Sequence, residues 1–258
     1  MIEFDRGIHL RGTSLWFDSV KKSKFSFISS ADIGRFSPSE KVIATPETLR
    51  LIEKRIRDSV ALACPYNRPF TIGSVEAELI PSGYMPGAAQ IEIKTGGRAI
   101  LYTGNISLRR SLTAEPIRVK GCPIVILKCT NSSPKYDFPE AKDVMESISG
   151  FIGEALRSGM APVLLAENPG TAGELVKRLG EAGHEILVHR SISETLRMYE
   201  GFGIEIKGSE PFSPSKTEGR VTVFPLLRES KILDKIRDKK IGVVKDSAPD
   251  EYSGIKAV

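Results

Sequence analysis

Hydrophobic and polar residues alternate along the first half of the chain in short runs that predict β-strands. The runs SLWFD, KFSFISS and PFTIGSVEAELIPSG have a period of two, and AQIEIKTGGRAILYTG is typical of a hairpin that turns at Gly96 and Gly97. The continuous apolar run CPIVILKCT predicts a buried strand. One helix interrupts this series: in TPETLRLIEKRIRDS, Thr45 can cap the helix and Pro46 suits its first turn.

From about residue 134 the pattern changes to helices that alternate with strands. A long amphipathic helix is predicted from Pro139 to about Ser158. The strand APVLLAE, the helix TAGELVKRLGEAG and the strand HEILVH follow, with Thr171 and Glu174 expected to form a capping box. Further on, RVTVFPL predicts a strand, KILDKIRDKK a basic helix and IGVV a last strand. This alternation predicts a parallel sheet.

The amino-acid composition is compatible with several functional classes and does not select one of them. The chain has 258 residues, a net charge of +5 and a pI near 9.0. A mildly basic balance fits a nucleic-acid partner but does not require one, because phosphate binding depends on clustered charge. No apolar run approaches the roughly 18 residues that a membrane span needs, and the N-terminus lacks a secretory pattern, so we expect a cytoplasmic protein that does not bind membranes. The chain contains a single glutamine, Gln90, and such a low glutamine content favours a thermophilic source.

The residues that could carry chemistry are few. The three histidines are widely spaced and form no H-x-H or H-E-x-x-H motif (His9, His184 and His189), and the three cysteines form no CxxC pair. The serine-nucleophile motif G-x-S-x-G is absent. The loop ENPGTAGE, which contains Thr171, precedes a helix and could hold a phosphate through backbone N–H groups. It lacks a Walker lysine, so an ordinary capped turn is the favoured interpretation.

In their order along the chain, several of these segments resemble the metallo-β-lactamase/β-CASP nucleases. The segments are GIHLRGTSLWFD, FISSADIGRF, IATPETLRLI, FTIGSVEAELIPSGYMPGAAQIEI, LYTGNISLRR, VILKCT, APVLLAE and EILVHRSI, and they span about Gly7 to Val244. The compact exonuclease-like proteins associated with RNA processing or with DNA ligase in bacteria and archaea are the most similar branch. The resemblance implies an α/β fold: a metallo-β-lactamase-like αββα sandwich in residues 1–133, a β-CASP-like α/β domain in 134–228, and a C-terminal helix and strand, 229–258, that return to the first domain.

Members of that family hold two zinc ions, and the resemblance places their first ligand loop, S-H-x-H-x-D-H, on SSADIGR. In this chain Ser30 and Asp32 stand at the first two histidines, Gly34 at the aspartate and Arg35 at the third histidine. The expected outcome is a loop that keeps its backbone shape but has lost its zinc ligands.

The remaining family positions have changed in the same direction. Tyr84 stands where the family has the histidine of a GH turn, and Asn105 stands at the bridging aspartate of a TGD turn. Lys128 occupies a position that is acidic in the family, whereas His189 matches a β-CASP histidine. We therefore expect no catalytic residue, no bound metal and no cofactor, since Asp32 alone cannot assemble a zinc site.

The resulting functional expectation is a catalytically inactive relative of an RNA- or DNA-processing nuclease that binds nucleic acid or a protein partner. RNA or single-stranded DNA, an active paralogue and a second copy of the chain are the partners considered. Candidate contacts are Lys128, His189, Arg109, Arg110 and Thr171, although a pair such as Arg109 and Arg110 is more often part of a solvated face than a nucleic-acid contact. Two alternatives stay open: a hydrolase with a non-standard site, such as His9, Asp32 and His189, and a module that binds a nucleotide or another anion.

Overall fold

A computed structural model describes residues 2–5, 7–34, 36–37, 39–129, 138–167, 169–226 and 231–245. The chain has a mixed α/β fold and divides into two compact units, Met1–Cys129 and Thr130–Val258. Among the described residues no helix is both long and apolar enough to cross a membrane.

The first unit contains two β-sheets that share one apolar core. The six strands of the first sheet follow chain order: β1 (Ile2–Phe4), β2 (Ile8–Leu10), β3 (Leu15–Phe17), β4 (Phe25–Phe27), β5 (Lys41–Ala44) and β6 (Val60–Ala63). The second sheet has the order β11-β10-β9-β8-β7, with β7 (Phe70–Ile72), β8 (Val75–Pro81), β9 (Ala89–Thr95), β10 (Arg98–Tyr102) and β11 (Ile124–Ile126). Phe17 and Phe27 of the first sheet lie in one buried cluster with Leu79 and Ile91 of the second. The two sheets therefore pack face to face, as their alternating sequences predict.

The first helix, α1 (Pro46–Leu51), is shorter than its sequence pattern suggests and is followed by a 3-10 turn at Glu53–Arg55. The Thr45 side chain caps α1 by accepting a hydrogen bond from the Thr48 N–H, which confirms the predicted cap. The helix packs outside the first sheet, in an apolar cluster with residues of β5 such as Val42.

The outer face of the second sheet is crossed by an extended strap, residues 111–123. The Arg118 N–H donates to the Pro81 carbonyl, and Lys120 Nζ lies 2.7 Å from a carboxylate oxygen of Glu92 and 3.4 Å from one of Glu78. Among the described residues of this unit α1 is the one α-helix, so the αββα arrangement stays a prediction. The run CPIVILKCT also differs from expectation. It forms an edge strand, β11, on which Val125 is half exposed.

The second unit is built on a fully parallel sheet, as the sequence predicts. Its order is β14-β13-β15-β12-β16, with β12 (Ala161–Ala166), β13 (Ile186–Val188), β14 (Ser209–Pro211), β15 (Val221–Pro225) and β16 (Lys239–Val244). The helices α2 (Ala141–Arg157), α3 (Gly170–Glu181) and α4 (Arg190–Gly201) contribute to one apolar cluster on this sheet.

One expectation about the C-terminal segment was wrong. Only Leu233–Lys235 is helical in the run KILDKIRDKK, as a 3-10 turn, and strand β16 already begins at Lys239. Strand β16 pairs with β12, and its neighbouring residues Val243 and Val244 are buried in the clusters on opposite faces of the sheet.

Candidate functional site

Three connections of the first unit converge at one place, which we call the loop junction. They are the loop after β4 (28–34), the turn between β8 and β9 (82–88) and the turn after β10 (103–107). The Ala89 N–H donates to the Ser29 carbonyl at 2.8 Å, and the Ser107 N–H donates to the Ser82 carbonyl at 3.0 Å. The structure therefore brings together the three segments that the resemblance assigns to the metal site.

Glycines at the loop junction are required by close approach of the backbone. Gly83 has φ +76° and Gly104 has φ +56°, a region that L-residues rarely adopt. A Cβ at Gly83 would overlap the Ser107 carbonyl oxygen, and one at Gly104 would overlap the Ser29 side chain. These glycines allow the loops to pack closely. The glycine turn motifs in the sequence therefore indicate the backbone fold, and they do not indicate that metal ligands are present.

The loop 28–34 is tied to its surroundings by Asp32 and Arg55. The Tyr84 hydroxyl donates to Asp32 Oδ2 at 2.9 Å. Arg55 donates to the carbonyl oxygens of Ala31, at 3.2 Å, and Gly34, and its guanidinium carbon lies 4.2 Å from the centre of the Phe36 ring. Burial lowers the pKa of Arg55, while the nearby Asp32 carboxylate opposes that shift. A protein cation thus holds the backbone of this loop.

A second carboxyl group, Asp18, is partly buried beside the loop junction. It accepts hydrogen bonds from the Ser29 N–H at 2.8 Å, the Ser29 hydroxyl at 2.6 Å and the Tyr102 hydroxyl at 2.7 Å. Burial raises the pKa of Asp18, and these donors together with the charge of Lys128 only partly offset the rise. Asp18 therefore holds the start of the loop in place through these hydrogen bonds.

The other predicted positions offer little to a metal ion. The Ser30 hydroxyl is completely buried and has no hydrogen-bond partner among the described residues. Asn105 is partly exposed in the turn after β10. The partly buried Lys128 donates its backbone N–H to Thr103 Oγ1 at 3.2 Å. Arg35 lies outside the described residues.

This donor set does not fit the two zinc ions that the resemblance implies. Zinc sites use thiolates, neutral imidazoles and carboxylates, with three protein ligands in a typical catalytic site. The loop junction supplies the carboxylate of Asp32, which already accepts a hydrogen bond from Tyr84. The groups beside it are the partly buried Asp18 and the cations Arg55 and Lys128. In the described ranges no group of three His, Cys, Asp or Glu side chains is arranged to bind a metal.

His9 forms a hydrogen bond away from the loop junction. Its Nε2 lies 2.8 Å from the Thr13 carbonyl oxygen, to which it must donate. The non-standard site composed of His9, Asp32 and His189 therefore gains no support from the described geometry.

In the second unit, His189 caps helix α4. Its Nδ1 accepts a hydrogen bond from the Ser191 N–H at 3.2 Å, so the neutral ring carries its proton on Nε2. Burial lowers the pKa of His189, with an opposing contribution from Glu194. The residue stands at the carboxyl end of β13, the edge of a parallel sheet where ligands commonly bind.

The remaining candidates are not gathered into a site by the described contacts. Arg109 and Arg110 are exposed on the chain after the third turn of the loop junction. Thr171 lies in the first turn of α3, but the expected capping box is absent. Pro169 is the N-cap residue, no side chain caps that end, and Glu174 instead pairs with Arg178 at 2.7 Å.

Comparison with known proteins provides distant relatives. No protein-family model matches the chain. It is 26% identical over 253 residues to a protein of Opitutus terrae named Probable DNA ligase, which covers 96% of this chain and 25% of that protein. It is 22% identical over 149 residues to RNase aCSPSF2 of Saccharolobus solfataricus, over 55% of this chain and 30% of the relative. The chain thus spans between a quarter and a third of these relatives, whose names both concern nucleic-acid processing.

Among solved structures, a protein of unknown function from Enterococcus faecalis V583 has a similar fold. The TM-score is 0.59 at 12% sequence identity, with 85% of this chain and 61% of that chain covered. This likeness supports the overall architecture alone.

Sequence reasoning missed two residues that contact the loop junction, Asp18 and Arg55. Asp18 follows directly after strand β3 in the run LWFD, a position where a polar side chain could have been noticed. Arg55 offers no comparable pattern, because the expected helix would have made it an ordinary exposed basic residue.

Proposed function

We propose that this chain is a metal-free member of the metallo-β-lactamase/β-CASP nucleases that binds nucleic acid without hydrolysing it. In this proposal the first unit has the αββα-type sandwich, and the second is the β-CASP-like domain. The protein acts beside a nucleic-acid-processing enzyme, as an accessory subunit.

The composition of the loop junction carries this proposal. Three loops converge on Asp32, Tyr84 and Asn105, and their glycine-dependent backbone packing is intact. Beside the carboxylate of Asp32, the family's site positions hold the hydroxyl groups of Ser30 and Tyr84 and the cation Lys128. Hydroxyl and cationic groups bind phosphate better than metal ions, so this composition favours an anion.

Lys128 is the residue through which we expect a phosphate group to be attracted. It is partly buried at the end of β11, close enough to Asp18 for their charges to interact. A partly buried ammonium is screened less by salt than an exposed one, so it contributes more to phosphate binding. His189 Nε2–H and the exposed Arg109 and Arg110 are proposed as further contacts.

The relatives support the choice of partner. In the Opitutus terrae protein the matching region is a quarter of a longer chain named Probable DNA ligase, and RNase aCSPSF2 also extends beyond the aligned region. Both names concern nucleic-acid processing, which supports nucleic acid as the proposed ligand of this chain.

The deciding experiment combines metal content with oligonucleotide binding on one preparation. Protein offered zinc and manganese is expected to retain less than about a tenth of an equivalent by mass spectrometry. Fluorescence anisotropy of labelled single-stranded RNA and DNA should show binding that weakens as salt rises. Lys128→Gln should bind more weakly, whereas Lys94→Gln, at an exposed ion pair of the same unit, should not.

Two results would overturn the proposal. One is a lack of oligonucleotide binding at every salt concentration. The other is one or two tightly held metal equivalents accompanied by nuclease activity that Asp32→Ala abolishes. The second result would favour the hydrolase alternative and would mean that the SSADIGR correspondence is wrong.

A further inference from the structure

The chain's only tryptophan lies outside the apolar core. Trp16 is in β3 and stands directly opposite His9 in the antiparallel strand β2. The neighbouring residues Leu15 and Phe17 point into the core, so the alternation of strand side chains places Trp16 on the outer face. It is partly exposed and belongs to none of the buried clusters that the described residues form.

The two rings form a fixed stack. Their centroids are 4.5 Å apart and their planes differ by 15°. His9 is held by its hydrogen bond to the Thr13 carbonyl, and its other nitrogen lies 3.7 Å from a carboxylate oxygen of Glu3. A ring fixed in this way loses little conformational entropy when a ligand stacks beside it.

An ammonium group lies beside the stack. Lys21 Nζ lies 5.7 Å from the centre of the Trp16 ring and also pairs with Asp5. Within residues 2–5 and 7–24, the cations are Arg11, Lys21, Lys22 and Lys24, and the anions are Glu3, Asp5 and Asp18. This small excess of cations favours a polyanionic ligand.

We propose that His9, Trp16 and Lys21 form a base-stacking platform for unpaired nucleotides of single-stranded RNA or DNA. A partly exposed aromatic surface with adjacent ammonium groups provides what such binding uses: stacking on a π-face and attraction of the backbone phosphates. Paired bases in a duplex present no free face, so the platform selects single strands. This inference rests on the proposed nucleic-acid-binding function and adds a second contact area, distinct from the loop junction.

Trp16 itself is the probe for the test. Its emission should be quenched in a saturable way by an unlabelled single-stranded oligonucleotide, with a midpoint that matches the anisotropy titration. A duplex of the same sequence should quench less. Because no other tryptophan contributes, a change in emission can be assigned to this position.

Paired variants separate stacking from general effects. Trp16→Phe keeps an aromatic face and should bind within a few-fold of the wild type, whereas Trp16→Leu should bind about ten-fold more weakly. Lys21→Gln should also weaken binding. The matched controls are Phe4→Ala, which removes an 82% exposed aromatic residue from the same sheet, and Lys94→Gln, and neither should matter.

The outcomes distinguish the platform from the proposed function. If anisotropy shows binding while the Trp16 emission is unchanged and Trp16→Leu binds as tightly as Trp16→Phe, the platform is wrong and the proposed function stands. If anisotropy detects no binding, both the stacking platform and the proposed nucleic-acid-binding function are wrong. Should Trp16→Leu fail to fold, the emission titration and Lys21→Gln still decide the matter.

Discussion

The Tyr84 hydroxyl donates a hydrogen bond to Asp32 across 52 residues of sequence, at 2.9 Å. Both residues occupy positions that the family resemblance assigns to zinc-binding histidines. Their side chains contact each other directly, so this link between the two loops needs no metal ion. Arg55 also stabilises the loop 28–34, because it donates hydrogen bonds to the carbonyl oxygens of Ala31 and Gly34.

The first prediction concerns this contact. Tyr84→Phe removes the donor and should lower the free energy of unfolding by about 1 kcal/mol, the usual net value of one hydrogen bond. In a double-mutant cycle with Asp32→Ala, measured by urea unfolding, the coupling between the two residues should be at least about 0.5 kcal/mol. Additive single-mutant effects would show that the contact contributes nothing.

The second prediction tests why the turns contain glycine. Gly104→Ala should destabilise the protein by more than Gly96→Ala, because the two residues have similar φ values, +56° and +54°, but different surroundings. A Cβ at Gly104 meets the Ser29 side chain, whereas nothing lies within 4 Å of one at Gly96. The positive φ alone costs roughly 1 kcal/mol at either site. Thermal unfolding of both variants measures the difference, and equal losses would contradict close packing at Gly104.

The sequence predicted the architecture better than the site because the two depend on different interactions. Period-two runs and glycine turns are local, and they indicated the hairpin at Gly96 and Gly97 and the cap at Thr45 correctly. The parallel sheet of the second unit followed from alternating strands and helices. The ends of elements were less predictable: the capping box at Thr171 failed because Pro169 takes the N-cap position.

The contacts of the candidate site could not be derived from pattern. Asp18 and Tyr102 are 84 residues apart, and only the packing of the two sheets brings them together. Trp16 is partly exposed, although large aromatic residues are usually buried. The face of the sheet on which Trp16 lies depends on the strand register. A shift of the register by one residue would move its side chain to the opposite face.

The third prediction uses the partly buried carboxyl group of Asp18. Its pKa is raised above the ordinary 3.8, so the folded protein holds this proton more tightly than the unfolded chain does. The stabilisation is therefore present below pH 3.8 and is lost as the pH rises through the folded-state pKa. The stability of the wild type relative to Asp18→Asn should fall as the pH increases from about 4 upwards. Urea unfolding of both proteins over a pH series measures this difference, and a difference independent of pH would contradict it.

The fourth prediction concerns His189, whose contribution to stability changes with pH in the opposite direction to that of Asp18. Burial lowers the pKa of His189 below its ordinary 6.5, so the folded state prefers the neutral ring. Protonation also removes the Nδ1 acceptor that caps α4 at the Ser191 N–H. The contribution of His189 to stability is present above pH 6.5 and is lost as the pH falls through the lower folded-state pKa.

Two variants separate the cap of α4 from the titration of His189. His189→Ser keeps a capping side chain and should be nearly as stable as the wild type at pH 8, whereas His189→Ala should lose about 1 kcal/mol. On acidification below pH 6.5, the wild type should lose stability relative to both variants, because neither titrates at this position. His9 and His184 are present in all three proteins, so thermal unfolding at matched pH isolates His189. A wild type that loses no stability relative to His189→Ser on acidification would show that the folded state does not prefer the neutral ring.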